Sequence, residues 1–265
     1  MRNDKSLMRA LALAAAAVVS GGCFDVEQSV SLQRDLSGHA SFYMTMSLEA
    51  AITAAAGLKR RMSGTPGAPT LAEIDAARRA AVKSRRSEVS PAEQRQEVAR
   101  RFARLEENLP RGVRLASSSF DDQGTTLVAR LDFEFDDVRK LAYVKVPETV
   151  NRRMQPARNP YADPFAGLTV VDEGPTLLVT MSGADPAARM QQWKQDDPAV
   201  AGANPEQVQM MEGMLKGARL AFKLESPFAV VDANATRRDG RTLYWELKAS
   251  DPDAKDRVLS ARLKK

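Results

Sequence analysis

Residues 127–135 alternate without a fault: Leu127, Ala129, Leu131, Phe133 and Phe135 fall on one side, Val128, Arg130, Asp132 and Glu134 on the other. A period of two over nine residues predicts a strand with one dry face and one wet face. Such a strand needs antiparallel neighbours and a layer to cover its apolar side. The same alternation appears at Val26, Gln28, Val30 and Leu32, and again at Ala40, Phe42, Met44 and Met46, with the turn cluster Arg34-Asp35-Leu36-Ser37-Gly38 between them. That pattern predicts a hairpin. Val113, Leu115 and Ser117 lead through the turn Asp121-Asp122-Gln123-Gly124 into the 127–135 strand. Two more hairpins are expected. One joins Leu168–Asp172 to Thr176–Ser182 across Glu173-Gly174-Pro175. The other joins Phe228–Thr236 to Leu243–Lys248 across Arg238-Asp239-Gly240-Arg241, where Asp-Gly signals a type I′ turn.

Between Leu48 and Leu109 the period becomes helical. Leu48, Ile52, Ala55, Leu58 and Met62 form a first stripe, which Gly64-Thr65-Pro66-Gly67 ends. A second helix is expected from Leu71 to Glu88, with a narrow stripe of Leu71, Ile74, Ala77, Ala81 and Val82. A third starts at Ser90-Pro91-Ala92-Glu93, a capping box with proline at the first helical position. Val98, Phe102, Leu105 and Leu109 give it a clear apolar face, and Pro110 stops it. Hairpins on both sides of a helical block predict an α+β fold: an antiparallel sheet built from hairpins, helices on one face, and residues 48–109 as an insertion that projects as an antiparallel helical hairpin. Residues 23–265 are expected to form one such domain, after a signal peptide at 1–22.

The rest of the chain reads less sharply. A short helix is expected near Asp136–Ala142. Residues 147–167 hold four prolines and read as an extended loop that tucks Tyr161 or Phe165 into the core. A helix capped at Asn204-Pro205 carries Val208, Met211 and Leu215. Asp251–Lys265 reads as a charged short helix or tail.

The N-terminus carries a different kind of signal. Arg2, Lys5 and Arg9 precede an apolar run of ten residues, Ala10–Val19, and then Ser20-Gly21-Gly22-Cys23. A helix crossing about 30 Å of hydrocarbon needs about 20 apolar residues, so this run is too short to span. It fits the apolar region of a secretory signal followed by small residues. Cys23 is the only cysteine in the chain. Gly21-Gly22-Cys23 resembles the lipobox of bacterial lipoproteins, with Ser20 where that family usually has leucine. The resemblance implies cleavage before Cys23 and a diacylglycerol thioether on its sulfur. Two or three acyl chains, palmitate among them, hold a protein at a membrane, whereas one binds only marginally. Phe24, not aspartate, follows the cysteine, so the outer membrane is the expected side.

Chemistry is conspicuous by what the chain lacks. One histidine and one cysteine cannot build a structural zinc cage, which takes four such ligands. The sole histidine, His39, lies beside a hairpin turn and reads as solvated, not as a base for a nucleophile. Neither a Gly-x-Gly-x-x-Gly nor a phosphate loop occurs. The pairs Asp121-Asp122, Asp136-Asp137 and Asp196-Asp197 read as turn and cap residues. Met210, Met211 and Met214 read as adaptable core filling, and Asn234-Ala235-Thr236 as a glycosylation sequon unused in a bacterial lipoprotein. No cofactor and no metal are expected.

Of 265 residues, 39 are basic and 34 acidic, a net charge of +5. The leader holds three basic residues and one acidic, so its removal lowers the net charge to +3. The excess is concentrated at Arg78, Arg79, Lys83, Arg85, Arg86, Arg95, Arg100, Arg101 and Arg104. Arg78, Arg79, Arg85 and Arg86 are candidate contacts for anionic lipid or for a protein partner. A solvated helix face laced with i,i+4 ion pairs is the plainer reading of the same residues and comes before it. Nucleic acid is not an expected partner of an exported protein.

Cys23 followed at once by the 26–32 strand, the Ser37-Gly38 turn, a second strand, a helical region and the closing hairpin Gly240-Arg-Thr-Leu-Tyr-Trp-Glu-Leu247 resembles the LppM-like family of bacterial lipoproteins. The resemblance implies an α+β envelope domain without cofactor or catalytic residues. Members often end in a transmembrane helix. This chain closes on Leu263-Lys264-Lys265, so the lipid is the expected sole anchor. The expected function is a lipid-anchored, non-enzymatic envelope protein that binds a lipid or protein partner at the membrane surface. The alternatives are an assembly accessory acting through the basic helices and, third, a hydrolase using carboxylates or a lysine.

Overall fold

The fold starts from the hairpin of β1 (Phe24–Leu32) and β2 (Gly38–Ser47), whose register pairs Phe24 with Met46 and Leu32 with Gly38. A computed structural model of the chain describes residues 24–88, 91–145, 163–182, 218–248, 251 and 257–265. In the β1–β2 turn the backbone N–H of Gln33 donates to Ser37 O and that of Leu36 to Gln33 O. Leu36 takes a left-handed conformation, φ 68°. Gly38 has φ +156°, and a Cβ there would lie 1.9 Å from Ser31 O, so only glycine lets the two strands close at this point.

Three helices follow: α1 (Glu49–Met62), α2 (Leu71–Glu88) and α3 (Pro91–Glu107). Then come β3 (Val113–Asp122) and β4 (Thr126–Phe135), and a 3₁₀ helix at Val138–Tyr143. Asp137 caps this last helix, accepting the Arg139 N–H at 3.0 Å. Asp122 accepts the Gly124 N–H at 2.9 Å in the β3–β4 turn. Both aspartates therefore do what their place beside a turn or helix start predicts. The pair Asp196-Asp197 lies outside the described residues.

β5 (Leu168–Asp172) and β6 (Thr176–Met181) form the expected hairpin. The remaining strands are β7 (Arg219–Glu225), β8 (Ala229–Ala233), β9 (Arg237–Asp239), β10 (Thr242–Lys248) and β11 (Leu259–Lys264).

The strands make two sheets, of order β3-β4-β2-β1-β7-β10-β9 and β5-β6-β11-β8. The architecture is α+β, as the hairpin pattern predicts, with one pairing that no hairpin rule supplies. β7 runs parallel to β1, with Val26 opposite Leu220 and Val30 opposite Leu224, so the larger sheet is mixed. A parallel pair needs a long crossover, and here it is all the chain between Leu32 and Arg219.

Two expectations about the C-terminal part are corrected. Residues 228–236 do not form an arm of the last hairpin. β10 pairs with the short β9 and with β7, while β8 belongs to the second sheet beside β11. The reason is burial: the edge strand β9 is exposed throughout, whereas Leu243, Trp245 and Leu247 of β10 need the flanking apolar rows that β7 provides. The end of the chain is a strand, not a helix or tail. Leu259, Ala261 and Leu263 point inward at 1%, 1% and 0% exposure, and β11 lies between β6 and β8.

The core fills the space between the sheets. From the larger one come Val26, Val30, Phe42, Phe133, Phe222 and Trp245, and from the smaller one Val170, Val179, Met181 and Leu263. Phe165, fully buried just before β5, meets Phe133 edge-on at 5.9 Å between ring centres. This is the loop aromatic expected to tuck inward; Tyr161 lies outside the described residues. Val138 and Leu141 of the 3₁₀ helix join the same cluster, and the Val138 N–H donates to Leu36 O at 3.0 Å. The second sheet and these segments take most of the covering role assigned to helices in the sequence. α3 contributes Leu105, with Phe102 and Leu109 packed against the cluster, whereas none of the described residues of α1 or α2 joins it. The side chain of Gln28 is buried in β1; its Nε2 donates to Pro164 O, and its Oε1 has no partner among the described residues.

The capping box at Ser90, the helix at 204–217 and the methionines at 210, 211 and 214 lie outside the described residues.

Candidate functional site

The sequence places its functional signal at Cys23, and the register shows what lies around the residue that follows it. Phe24 opens β1 directly opposite Met46. Ser47, one residue on, pairs with Thr126, and Leu127 pairs with Asp122. Asp25 pairs with Arg219, which in turn faces Lys248. One end of the larger sheet therefore gathers the start of β1, the end of β2, the β3–β4 turn, the start of β7 and the end of β10. Cys23 itself lies outside the described residues. β1 is an interior strand, flanked by β2 and β7 over most of its length.

Arg219 gathers two carboxylates at this end. The Arg219 guanidinium sits 2.8 Å from Glu27 and 3.4 Å from Glu246. The hydrogen bond to Glu27, with Glu246 adding to it, strengthens its hold on its proton. Lys248 reaches Glu246 at 4.0 Å.

The helical insertion is rooted at the same end. The Leu48 N–H donates to Thr125 O at 2.8 Å, and the Glu49 N–H donates to Ser47 Oγ at 3.3 Å. From there α1 and α2 run as the expected antiparallel hairpin. Arg60 near the end of α1 grips both oxygens of Glu73 near the start of α2, each at 2.9 Å. Closer to the root, Arg78 of α2 donates to Glu49 of α1 through Nε at 3.0 Å and Nη2 at 2.8 Å, and it also contacts Asp75. Arg78 holds the Glu49 carboxyl below the usual glutamate range. Thr70 and Glu73 form a reciprocal capping box. Glu73 Oε2 accepts the Thr70 N–H at 2.7 Å, and Thr70 Oγ1 accepts the Glu73 N–H at 3.3 Å. These hydrogen bonds from Thr70, with Arg60 adding to them, hold Glu73 below its ordinary value.

Of the four arginines singled out in the sequence, Arg78 is thus a clamp between two helices with two carboxylates already on it. Arg79, beside it, is exposed. Arg85 and Arg86 are on α2, and their side chains lie outside the described residues. The capping box was within reach of sequence reading, since Thr-x-x-Glu precedes the helix at Thr70. The Glu49–Arg78 pair was not, because nothing local links residues 29 positions apart.

The apolar stripe of α1 is also corrected. Ile52 and Ala56 are buried at 4% and 3%, but Ala55 is exposed, and Leu58 and Met62 are 42% and 81% exposed. Leu71, which opens α2, is 82% exposed. Among the described side chains of the two helices, only Ile52 and Ala56 are fully buried. His39 is exposed on β2, opposite Ser31 and Glu134. Among the described residues no group of three or more His, Cys, Asp or Glu side chains gathers as metal ligands, and no helix is long and apolar enough to cross a membrane.

No family model matches the chain, and no curated protein matches it. Among solved structures, it is similar to the NMR structure of the folded domain of LppM from Mycobacterium tuberculosis. The TM-score is 0.41 and the identity 12%, over 92% of this chain and 91% of that one. At that score the reading of this chain rests on its own residues.

Proposed function

We propose that this chain is a lipid-anchored envelope protein, held at the extracytoplasmic face of a membrane by a diacylglycerol thioether on Cys23, and that it binds a lipid or a protein partner there without catalysing a reaction. The observation that carries this reading is the junction of the leader with the fold. The ten-residue apolar run ends in Gly21-Gly22-Cys23, and β1 begins at the very next residue, Phe24. An interior strand that starts there gives the anchor a rigid attachment and keeps the folded body against the bilayer. Cleavage at Cys23 also removes the leader without touching the sheet.

The outer membrane is the proposed location, because Phe24 occupies the position after the cysteine. The test is a Cys23→Ser variant expressed in a bacterium with two membranes. Wild type is expected to float with membranes in a density gradient at the mass of the processed, acylated chain. The Cys23→Ser variant is expected to keep residues 1–22 and to lack acyl groups. If both proteins have the same processing and the same acyl content, the reading fails.

A further inference from the structure

We propose that the tip of the α1–α2 hairpin is a second membrane contact, which seats Leu58, Met62 and Leu71 in the headgroup region of an anionic leaflet beside the Cys23 anchor. The proposal rests on the reading of Cys23 as the lipidated residue, which fixes the end of the sheet that faces the bilayer. The hairpin is rooted at that end: Phe24 pairs with Met46, and Leu48, two residues along, is tied to the β3–β4 turn through Thr125.

The hairpin stands clear of the core. Among the described residues none of α1 or α2 belongs to the cluster between the sheets, and α1, with 14 residues, reaches about 21 Å at 1.5 Å per residue. Its far end is closed on itself. A Cβ on Gly57 would lie 3.7 Å from Pro69, and Arg60 grips Glu73, so the 63–69 connection folds back tightly. Met62 and Leu71 flank that connection at 81% and 82% exposure, and Leu58 lies one helical turn before Met62. Scattered apolar side chains on a surface are ordinary. Three at the closed end of one helical hairpin are a cluster, not a scatter.

Charge selects the occupant. Residues 58–73 hold Lys59, Arg60 and Arg61 against Glu73 alone, a net charge of +2 around the apolar tip. Arg60 and Glu73 hold each other, so the excess is a local one beside the apolar tip; an apolar patch with a basic excess matches an anionic headgroup layer, in which apolar groups sink about 5–10 Å while cations stay among the phosphates. A protein groove that took the same tip would need its own acidic lining; that is the competing occupant.

The chain's single cysteine makes the test direct. Full-length chains carrying Met62→Cys or Leu71→Cys, and a control with Val231→Cys on β8, are purified from bacterial membranes, labelled with an environment-sensitive thiol dye and placed in vesicles. The expected result is a blue shift and quenching by spin-labelled lipid at residues 62 and 71 but not at 231, larger with phosphatidylglycerol present than with phosphatidylcholine alone. Unshifted emission at 62 and 71 on vesicles that carry the protein overturns the proposal. So does a shift seen only in native envelopes and not on protein-free vesicles, which would mean that a protein covers the tip. Label stoichiometry keeps the two readings apart. One dye per chain, on a chain whose intact mass includes an acylated Cys23, shows that the Cys23 sulfur is blocked. Two dyes per chain show that the anchor reading has failed, and the tip is then judged from the difference between the Met62→Cys and Val231→Cys chains.

Discussion

Trp245 donates its indole N–H to Oδ1 of Asn234 at 2.8 Å, and the same oxygen accepts the Ser260 N–H at 2.8 Å. Asn234 also donates through Nδ2 to Val258 O at 2.6 Å. One asparagine just past β8 thus ties β10 of the larger sheet to β11 of the smaller one. The sequence reads Asn234-Ala235-Thr236 as an unused sequon; the structure gives the asparagine work in the fold. Asn234→Ala removes three hydrogen bonds and should cost about 2–3 kcal/mol, at roughly 1 kcal/mol each. Asn234→Asp keeps the acceptor and loses one donor, so it should cost less. Urea melts of both variants check the order.

Gly38 and Gly240 both have positive φ, +156° and +57°, but differ in surroundings. A Cβ at residue 38 collides with Ser31 O at 1.9 Å, while at residue 240 nothing lies within 4 Å. Gly240→Ala should therefore cost only the left-handed penalty of about 1 kcal/mol. Gly38→Ala must also move the strand beside it and should cost several-fold more. Equal thermal midpoints for the two variants would contradict the close approach of β1 and β2.

Among the described residues six carboxylates are held below their ordinary range by partners in the fold. Asp35 is held by the Ser37 hydroxyl, Glu49 by Arg78, Glu73 by Thr70, Asp137 by Arg139, Asp172 by Lys265 and Glu173 by Arg262. A depressed carboxylate binds its proton less readily in the folded chain than in the unfolded one. Its contribution is complete above the unfolded values, 3.8 for aspartate and 4.5 for glutamate, and is lost as pH falls through the folded ones. Stability should be level with respect to these groups above about pH 5 and fall steadily below about pH 4. Arg78→Gln should shrink the acid-side loss, because Glu49 then returns toward its ordinary value. Denaturant midpoints that rise on acidification below about pH 4 would contradict these pairings.

Leu263 is fully buried on β11, between Leu177 on one side and Val230 on the other. Leu263→Ala should cost about 2–4 kcal/mol, as buried leucine deletions do. Removing residues 257–265 should take away the strand that joins β6 to β8 and leave a protein sensitive to protease. A truncated chain as resistant as the full one would show that β11 is not part of the second sheet.

How much of this was legible depends on where each signal lies in the chain. The alternation holds along Val26–Leu32, from Ala40 to Phe42 and from Leu131 to Phe135, because a half-buried hairpin writes its burial into neighbouring residues, and it fades to even half-burial at Met44–Met46 and Leu127–Ala129. The β1–β7 pairing is invisible in sequence, since Val26 and Leu220 are brought together only by the whole intervening chain. β11 was hidden by its setting: Leu259, Ala261 and Leu263 alternate correctly, but with Ser260, Arg262 and Lys264 they resemble a charged tail. At the candidate site the position of Cys23 beside a strand was readable, because both signals are local. The pairing of Arg78 with Glu49 and the exposure of Met62 and Leu71 were not, because an amphipathic stripe says which residues prefer burial and not whether a partner arrives to cover them.

The central claim is that the sulfur of Cys23 carries the membrane anchor. Intact mass of the wild-type chain, purified from bacterial membranes, tests it most directly. The account predicts a chain that begins at Cys23 and is heavier than residues 23–265 by a diacylglycerol group, with or without a further acyl chain. A chain that retains residues 1–22, or one cleaved elsewhere with a free thiol at Cys23, would contradict it.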